Sequence, residues 1–325
     1  MKMEMQVGTD LYCPQPSNTS CIKPGSHWSE VVLLQIMPSS ISLLTAALNL
    51  FVIISVSHFR QLHTPTNILL LSLAVSDLLV GLLLMPFEII RNTTCWFLSD
   101  LFCSFYFKLS FIITFASVVD IVLISVDRYL AVCDPLHYST KVTEKTVKVC
   151  VCLSWLYSVF YGSLIVKNDF TKPGRQSLGQ CIMIVDYVSG TIDLVVSFVV
   201  PVLVIIVLYM RVFIVAVSQA RIMQAHITAV TLQFSLTHTS KKSELKAAKT
   251  LGVLVIVFLI CFCPYHCVSF AGNGSFSTFS LFLLYFNSTL NPVIYALFYP
   301  WFRKAVKVII TFQILQPDSR EVNML

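Results

Sequence analysis

Charge is what this chain has least of. Asp, Glu, Lys and Arg together make up 12% of its 325 residues, while 56% are hydrophobic. A soluble domain carries about twice that charged fraction, so a soluble globular fold is excluded. The usual signatures of catalysis and metal binding are missing too. There is no Walker loop, no GxSxG and no HExxH. No CxxC pair has metal spacing: Cys261 and Cys263 are near neighbours that point in different directions on a helix. No repeat or low-complexity segment stands out. A membrane enzyme would need a nucleophile or a metal cluster, and neither is visible. A cleavable signal peptide is not expected, because residues 1–30 are polar and the first apolar run is too long for a signal core.

What the chain has in quantity is long apolar runs. A helix needs about 20 apolar residues to cross a bilayer. Seven stretches qualify, approximately 33–57, 67–90, 104–127, 147–167, 188–213, 250–271 and 277–299, the last being the weakest. The fold class is therefore an all-α membrane protein. With the N-terminus outside, seven basic residues (Lys2, Lys23, Arg91, Lys108, Lys167, Lys172, Arg175) fall on the outer side and the other fifteen of 22 on the inner side. That asymmetry sets the orientation. It also makes the net charge of +6 an inner-membrane surface and not a nucleic-acid footprint. Sequons at Asn18, Asn92 and Asn273 fall in segments placed outside and are expected to carry glycans. A fourth, at Asn287, lies inside the seventh run. Of the 11 cysteines, Cys13, Cys21, Cys95, Cys103 and Cys181 are on or near the oxidising outer side.

Polar residues inside the runs carry a resemblance. Asp127-Arg128-Tyr129 ends the third run and resembles the DRY motif of rhodopsin-like G-protein-coupled receptors. Asn49, Asp77, Trp155, Pro201, Cys263-Pro264 and Asn291-Pro292-Val293-Ile294-Tyr295 are similar to that family's landmarks on successive spans. The likeness covers residues 30–312. Within it, Asn287-Ser288-Thr289-Leu290-Asn291-Pro292, then Tyr295, Tyr299, Trp301 and Phe302, resemble the seventh-helix fingerprint of the trace amine-associated receptors. The resemblance implies a seven-transmembrane helix bundle over residues 31–300. It also implies an extracellular segment 1–30 and a cytoplasmic amphipathic eighth helix and tail over 301–325. The chain departs from the pattern at four places. Ser110 stands where amine receptors usually carry aspartate, Phe262 where the aromatic is usually Trp, Leu48 where Gly is usual, and Ser177 where a second loop cysteine is common. The family's bridge implies a Cys103–Cys181 disulfide; the pairing of Cys13, Cys21 and Cys95 stays open.

Four acids lie in or at the edges of the spans: Asp77, Glu88, Asp120 and Asp193. An acid at the bilayer centre costs ~2.5–3.5 kcal/mol on translocon scales, so each calls for an offsetting partner. The resemblance gives Asp77 a sodium ion shared with Ser117, Ser288 and Asn291. That ion is a possible allosteric ligand, and no other cofactor is implied. Asp120 is expected to pack towards Ser72 and Trp155. Asp193 lies two turns outward of Pro201, with Ser197 one turn below it on the same face. Because Ser110 cannot form an ion pair, Asp193 is expected to be the counter-ion of a protonated amine, which needs an anion on leaving water. The alternative is an interfacial acid facing water or a lysine. Helical spacing adds Ser110, Phe111 and Thr114, then Phe262, Tyr265 and His266, then Tyr285, as an aromatic wall suited to a cation. Glu88 either supplies a second anion for a diamine or pairs with Arg91 or Lys108, the pair being favoured.

For transduction the resemblance implies that Asp127 holds Arg128 at rest, with Glu244 in register as a further partner. Tyr209 and Tyr295 are then expected to meet Arg128 in the active state, next to Tyr129. Pro135 and Leu136 suit a hydrophobic plug against a heterotrimeric G protein. Lys241, Lys242, Lys246 and Lys249 read first as a lipid-facing basic surface. The implied function is a plasma-membrane receptor for volatile or trace amines, coupled to a stimulatory G protein and sited in olfactory cilia. Its rivals are a receptor for a non-amine ligand and a secondary transporter with acids along a path. The absence of internal repeats argues against the transporter.

Overall fold

The computed structural model describes residues 32–94, 96, 98–166, 181, 187–229, 252–269, 277–316 and 319–324. Seven helices in it are long and apolar enough to cross a membrane: α1 (Val32–His58), α2 (Pro65–Thr93), α3 (Leu101–Cys133), α4 (Glu144–Ile165), α5 (Tyr187–Val215), α6 (Gly252–Ser269) and α7 (Thr278–Phe298). A short helix, Pro135–Lys141, follows α3, and α8 (Pro300–Ile310) follows α7. No strand occurs among the described residues. The runs read from sequence match these spans. However, α3 continues beyond its apolar stretch, through Asp127, Arg128 and Tyr129 to Cys133.

Helices are forced on this chain because lipid offers no partner for a free N–H or C=O. Hydroxyl caps mark where they begin. Thr64, Ser99 and Thr143 each accept the backbone N–H three residues on, at 3.3, 3.4 and 3.2 Å, and so open α2, α3 and α4. Apolar burial does not draw helices together in lipid, so close packing and hydrogen bonds must. Leu43 and Leu297 accordingly stay 74% and 67% exposed on the outer faces of α1 and α7. Inside, Asn49 Nδ2 on α1 donates to Ser288 O on α7 at 3.0 Å. Gly162 lets α4 meet α3, since a Cβ there would lie 2.6 Å from Ile112.

Prolines shape three helices in one way. Val32–Ile36, Val80–Leu84 and Leu194–Val199 are π-helical. They end two residues before Pro38, Pro86 and Pro201. Each proline lacks the N–H that would have bonded the carbonyl four residues back, and in all three cases that carbonyl lies within the π-helical stretch.

The chain closes on itself at the Arg128 end. On α8, Trp301, Phe302, Ala305 and Val308 are buried against the bundle, while Arg303, Lys304 and Lys307 are exposed. Beyond it the tail turns back beneath the turn after α1. Ser319 Oγ lies 3.0 Å from His58 Nε2, and the Met324 N–H donates to Gln61 Oε1 at 2.9 Å. The Met324 side chain is 1% exposed, in the same apolar cluster as Phe59 and Leu62.

Candidate ligand site

Towards the end that carries the Cys103–Cys181 bridge, a half-open cavity lies between α3, α4, α5, α6 and α7. Of the residues expected there, Ser110, Phe111, Thr114, Asp193, Ser197 and Phe262 line it, and so do Tyr265 and His266. Phe115, Val118, Tyr161, Leu281 and Leu284, not singled out from sequence, line it as well. Tyr285 stands behind Ser110, its hydroxyl 2.9 Å from Ser110 Oγ.

Asp193 is half-buried at the last α-helical residue before the π-helical stretch of α5. Tyr161 of α4 donates to Asp193 Oδ1 at 2.6 Å. The Tyr161 ring stacks on Phe115 at 4.3 Å, which fixes the donor in place. Ser197 Oγ does not point outward as a free hydroxyl. It donates back to the Asp193 carbonyl at 2.7 Å, four residues earlier. Across the cavity His266 stacks on Phe198 at 4.5 Å, and Phe262 packs on Phe258 at 4.2 Å. The result is an apolar, aromatic chamber in which Asp193 is the one carboxylate among the described lining residues.

Glu88 needs a correction as a ligand anion. It is fully buried and does not line the cavity. Arg91 grips both of its oxygens, Tyr106 donates to Oε2 at 2.7 Å, and Asn92 Nδ2 donates to Oε1 at 2.8 Å. Arg91 also reaches the Cys181 carbonyl at 3.4 Å, tying α2 to the bridged cysteine. Its charge is spent on the protein, as a buried carboxylate requires. Asn92, which opens a sequon, donates its amide to the Glu88 side chain and carbonyl within the last turn of α2. Asn18 and Asn273 lie outside the described residues, as do Cys13, Cys21, Cys95, Glu244 and the lysines at 241, 242, 246 and 249.

Deeper in the bundle, Asp77 accepts from Asn291 Nδ2 at 2.8 Å and stands 3.5 Å from Ser117 Oγ, with Ser288 also against it. Asn287, one turn from Asn291, is buried with neither side-chain polar atom bonded to protein. A single carboxylate among hydroxyl and amide oxygens is a donor set that fits a small monovalent cation. Asp120 takes a hydrogen bond from Ser72 at 2.8 Å, and Trp155 donates to the same serine at 3.1 Å.

At the far end Arg128 is held by Asp127 Oδ2, with Nε at 2.9 Å, and by Thr66. Tyr138 donates to Asp127 Oδ1 at 2.7 Å, and Thr66 donates to Oδ2 at 2.9 Å. Neither Thr66 nor Tyr138 stood out in the sequence. Hydrogen bonds from Lys141 and His137 hold the Asp134 carboxyl at about 2, which pins the loop helix that carries Tyr138. On that helix Leu136, next to Pro135, is 86% exposed. Tyr129 packs beside Val132 and Val212. Tyr295 is buried with its hydroxyl unbonded, and Tyr209 lies against Gly252, where a Cβ would overlap the tyrosine hydroxyl.

Known proteins add to this geometry. A family model described as "7 transmembrane receptor (rhodopsin family)" matches residues 48–295. The chain is 36% identical over 333 residues to trace amine-associated receptor 13c of Danio rerio, covering 96% of both chains. It is 37% identical to trace amine-associated receptor 8b of Mus musculus, again over 96% of both. To trace amine-associated receptor 4 of the same species it is 35% identical, over 95% of this chain and 93% of the other.

Proposed function

The chain belongs to the rhodopsin family of seven-transmembrane receptors and, within it, to the trace amine-associated receptors; from that premise we propose that it detects a small amine whose ammonium pairs with Asp193. It is a receptor and not an enzyme, and its family couples ligand binding to a heterotrimeric G protein. The observation that carries the amine reading is the Asp193 carboxylate on the wall of an aromatic cavity, opposite a neutral Ser110. An ammonium leaving water needs a charge-assisted partner. Among the described residues that line the cavity, Asp193 is the one acid, Glu88 being buried outside it and paired with Arg91. Aromatic faces at Phe111, Phe115 and Phe262 favour the same cation. The relatives' names point to trace amines as the ligand class.

Binding shifts the bundle from the state in which Thr66 and Asp127, itself held by Tyr138, hold Arg128. Released, Arg128 meets Tyr209 and Tyr295 and opens the face that takes a G protein, with Pro135 and Leu136 as its apolar contact. A stimulatory G protein that raises cyclic AMP, an outward N-terminus and olfactory cilia complete the proposal. A sodium ion on Asp77, Ser117, Ser288 and Asn291 would supply a positive charge that stabilises the resting packing.

A second reading has its own support: Tyr161 satisfies Asp193, so the acid could be wholly structural. One experiment separates the two. Amine dose–response curves are recorded for wild type and Asp193→Asn at equal surface expression. Loss of one partner of a buried charge pair costs on the order of 2–5 kcal/mol, a shift of roughly 30-fold to several thousandfold. A shift below about threefold (~0.7 kcal/mol) would assign the carboxylate to structure.

A further inference from the structure

Three helices hold one oxygen of the cavity's carboxylate in place. Tyr161 of α4 donates to Asp193 Oδ1 of α5 at 2.6 Å. A carboxylate has no proton to give, so the phenol is the donor. The donor itself is fixed. Tyr161 is 5% exposed, and its ring stacks on Phe115 of α3 at 27° between planes. Ile165 completes that apolar cluster, and Val196 of α5 packs against it. Beside Tyr161, Gly162 lets α4 come this near to α3. These apolar contacts already join α3, α4 and α5, so the Tyr161 hydroxyl is not needed to hold the helices together. Nor does it serve the backbone of α5, because Ser197 Oγ takes care of the Asp193 carbonyl at 2.7 Å. What the hydroxyl alone does is hold the carboxylate.

We propose that Tyr161 is a positioning residue for amine recognition, its hydroxyl aiming the Asp193 carboxylate so that Oδ2 meets the ligand's ammonium. The inference rests on the reading of Asp193 as the counter-ion. An aspartate side chain turns about two bonds, and χ2 is broad. One hydrogen bond from a fixed donor removes both freedoms, so the ammonium meets an anion already in place and less ordering remains to be done on binding. The same bond has an opposite effect, since a carboxylate that accepts from Tyr161 is a weaker acceptor for the ligand. The first effect is the larger. Without its donor a half-buried carboxylate on an apolar wall turns outward to water, and that turn must be undone before the amine can pair. The two effects differ in sign, so the direction of the change on removing the hydroxyl separates them.

The test is a double-mutant cycle of Tyr161→Phe and Asp193→Asn on the purified full-length receptor. Apparent affinity is read from the rise of melting temperature with ligand concentration. The probe is the tightest binder to wild type from a series of primary alkyl and arylalkyl amines of graded length. Tyr161→Phe keeps the ring and its stack, so the melting temperature without ligand should stay near that of wild type. Amine affinity should fall about 3- to 10-fold, the worth of one net hydrogen bond. In the Asp193→Asn background the same change should move affinity by less than about twofold, because no carboxylate is left to aim. Tyr161→Leu closes the same cycle if Tyr161→Phe is not recovered. An equal loss in both backgrounds would make Tyr161 a shaper of the cavity and overturn the proposal. A gain of affinity in Tyr161→Phe would overturn it too, by showing that the hydroxyl competes with the ligand for the acid. Either result, with Asp193→Asn still weak, leaves the amine reading standing. Asp193→Asn binding as tightly as wild type would sink that reading and take this proposal with it.

Discussion

At the residue scale, the buried acids are handled in different ways. Glu88 is neutralised in full by Arg91 beside it on the same helix. Removing one partner of such a pair strands a charge and costs about 3–5 kcal/mol, whereas removing both is often nearly neutral. Arg91→Met should therefore lower the melting temperature of the purified receptor sharply, and Glu88→Gln added to it should restore most of the loss. A double variant no better than the single one would mean that Tyr106 and Asn92, not the charge, are what Arg91 serves. The pairing of Glu88 with a basic neighbour was readable in sequence, because Arg91 sits three residues on, one helical turn away. The partner of Asp193 was not. Tyr161 is one of several aromatic residues on α4, beside Trp155, Tyr157 and Phe160, and no spacing rule links it to an acid 32 residues later. Only the close approach of α4 to α3 at Gly162, and the stack on Phe115, bring its hydroxyl to the carboxylate.

At the scale of the element, α5 owes its register to Pro201. The missing N–H frees the carbonyl of Ser197, and the π-helical stretch Leu194–Val199 takes up the extra residue. Everything outward of it is turned by about 100° relative to an uninterrupted α-helix, the rotation of one residue. Asp193 stands at the outward edge of that stretch, on the cavity wall. Pro201→Ala restores the donor and lets the segment return to α-helix, swinging Asp193 towards lipid without touching any cavity atom. Amine potency should fall by at least about tenfold, the worth of one hydrogen bond to a charge, ~1.5 kcal/mol. Unchanged potency would show that packing against α4, not Pro201, sets the register. The seven spans were legible as apolar length, and the Asp77–Asn291 and Asp120–Ser72 contacts as polar residues that had to be satisfied. The π-helical stretches were not, because a proline announces a fault in a helix without saying how it will be repaired. The same limit hid Thr66 and Tyr138, ordinary hydroxyls until α2 and the loop helix bring them to Asp127.

For the whole molecule, the described helices form one bundle whose tail is folded into it. Residues 313–324 have no periodicity and few apolar side chains, so their docking could not be read from sequence. Yet Met324 is only 1% exposed, like Leu70, Ile113 and Tyr285 of the bundle core. Replacing a buried Met by Ala costs about 2–5 kcal/mol in a packed core, more than a short tail can hold against. Met324→Ala should therefore release the segment. Amide hydrogen exchange at Gln313–Leu315 and Ser319–Glu321 should rise to that of an open chain while the spans stay protected. Protection equal to wild type would mean that the contacts of Ser319 and Glu321 suffice. The docked tail has a practical side for anyone building reporters from this receptor. A fluorescent protein or affinity handle joined close behind Met324 hangs beside an anchored side chain, so its drag acts on the turn after α1. Readouts taken from such a fusion would report a receptor with its tail pulled loose, and a label placed elsewhere would not.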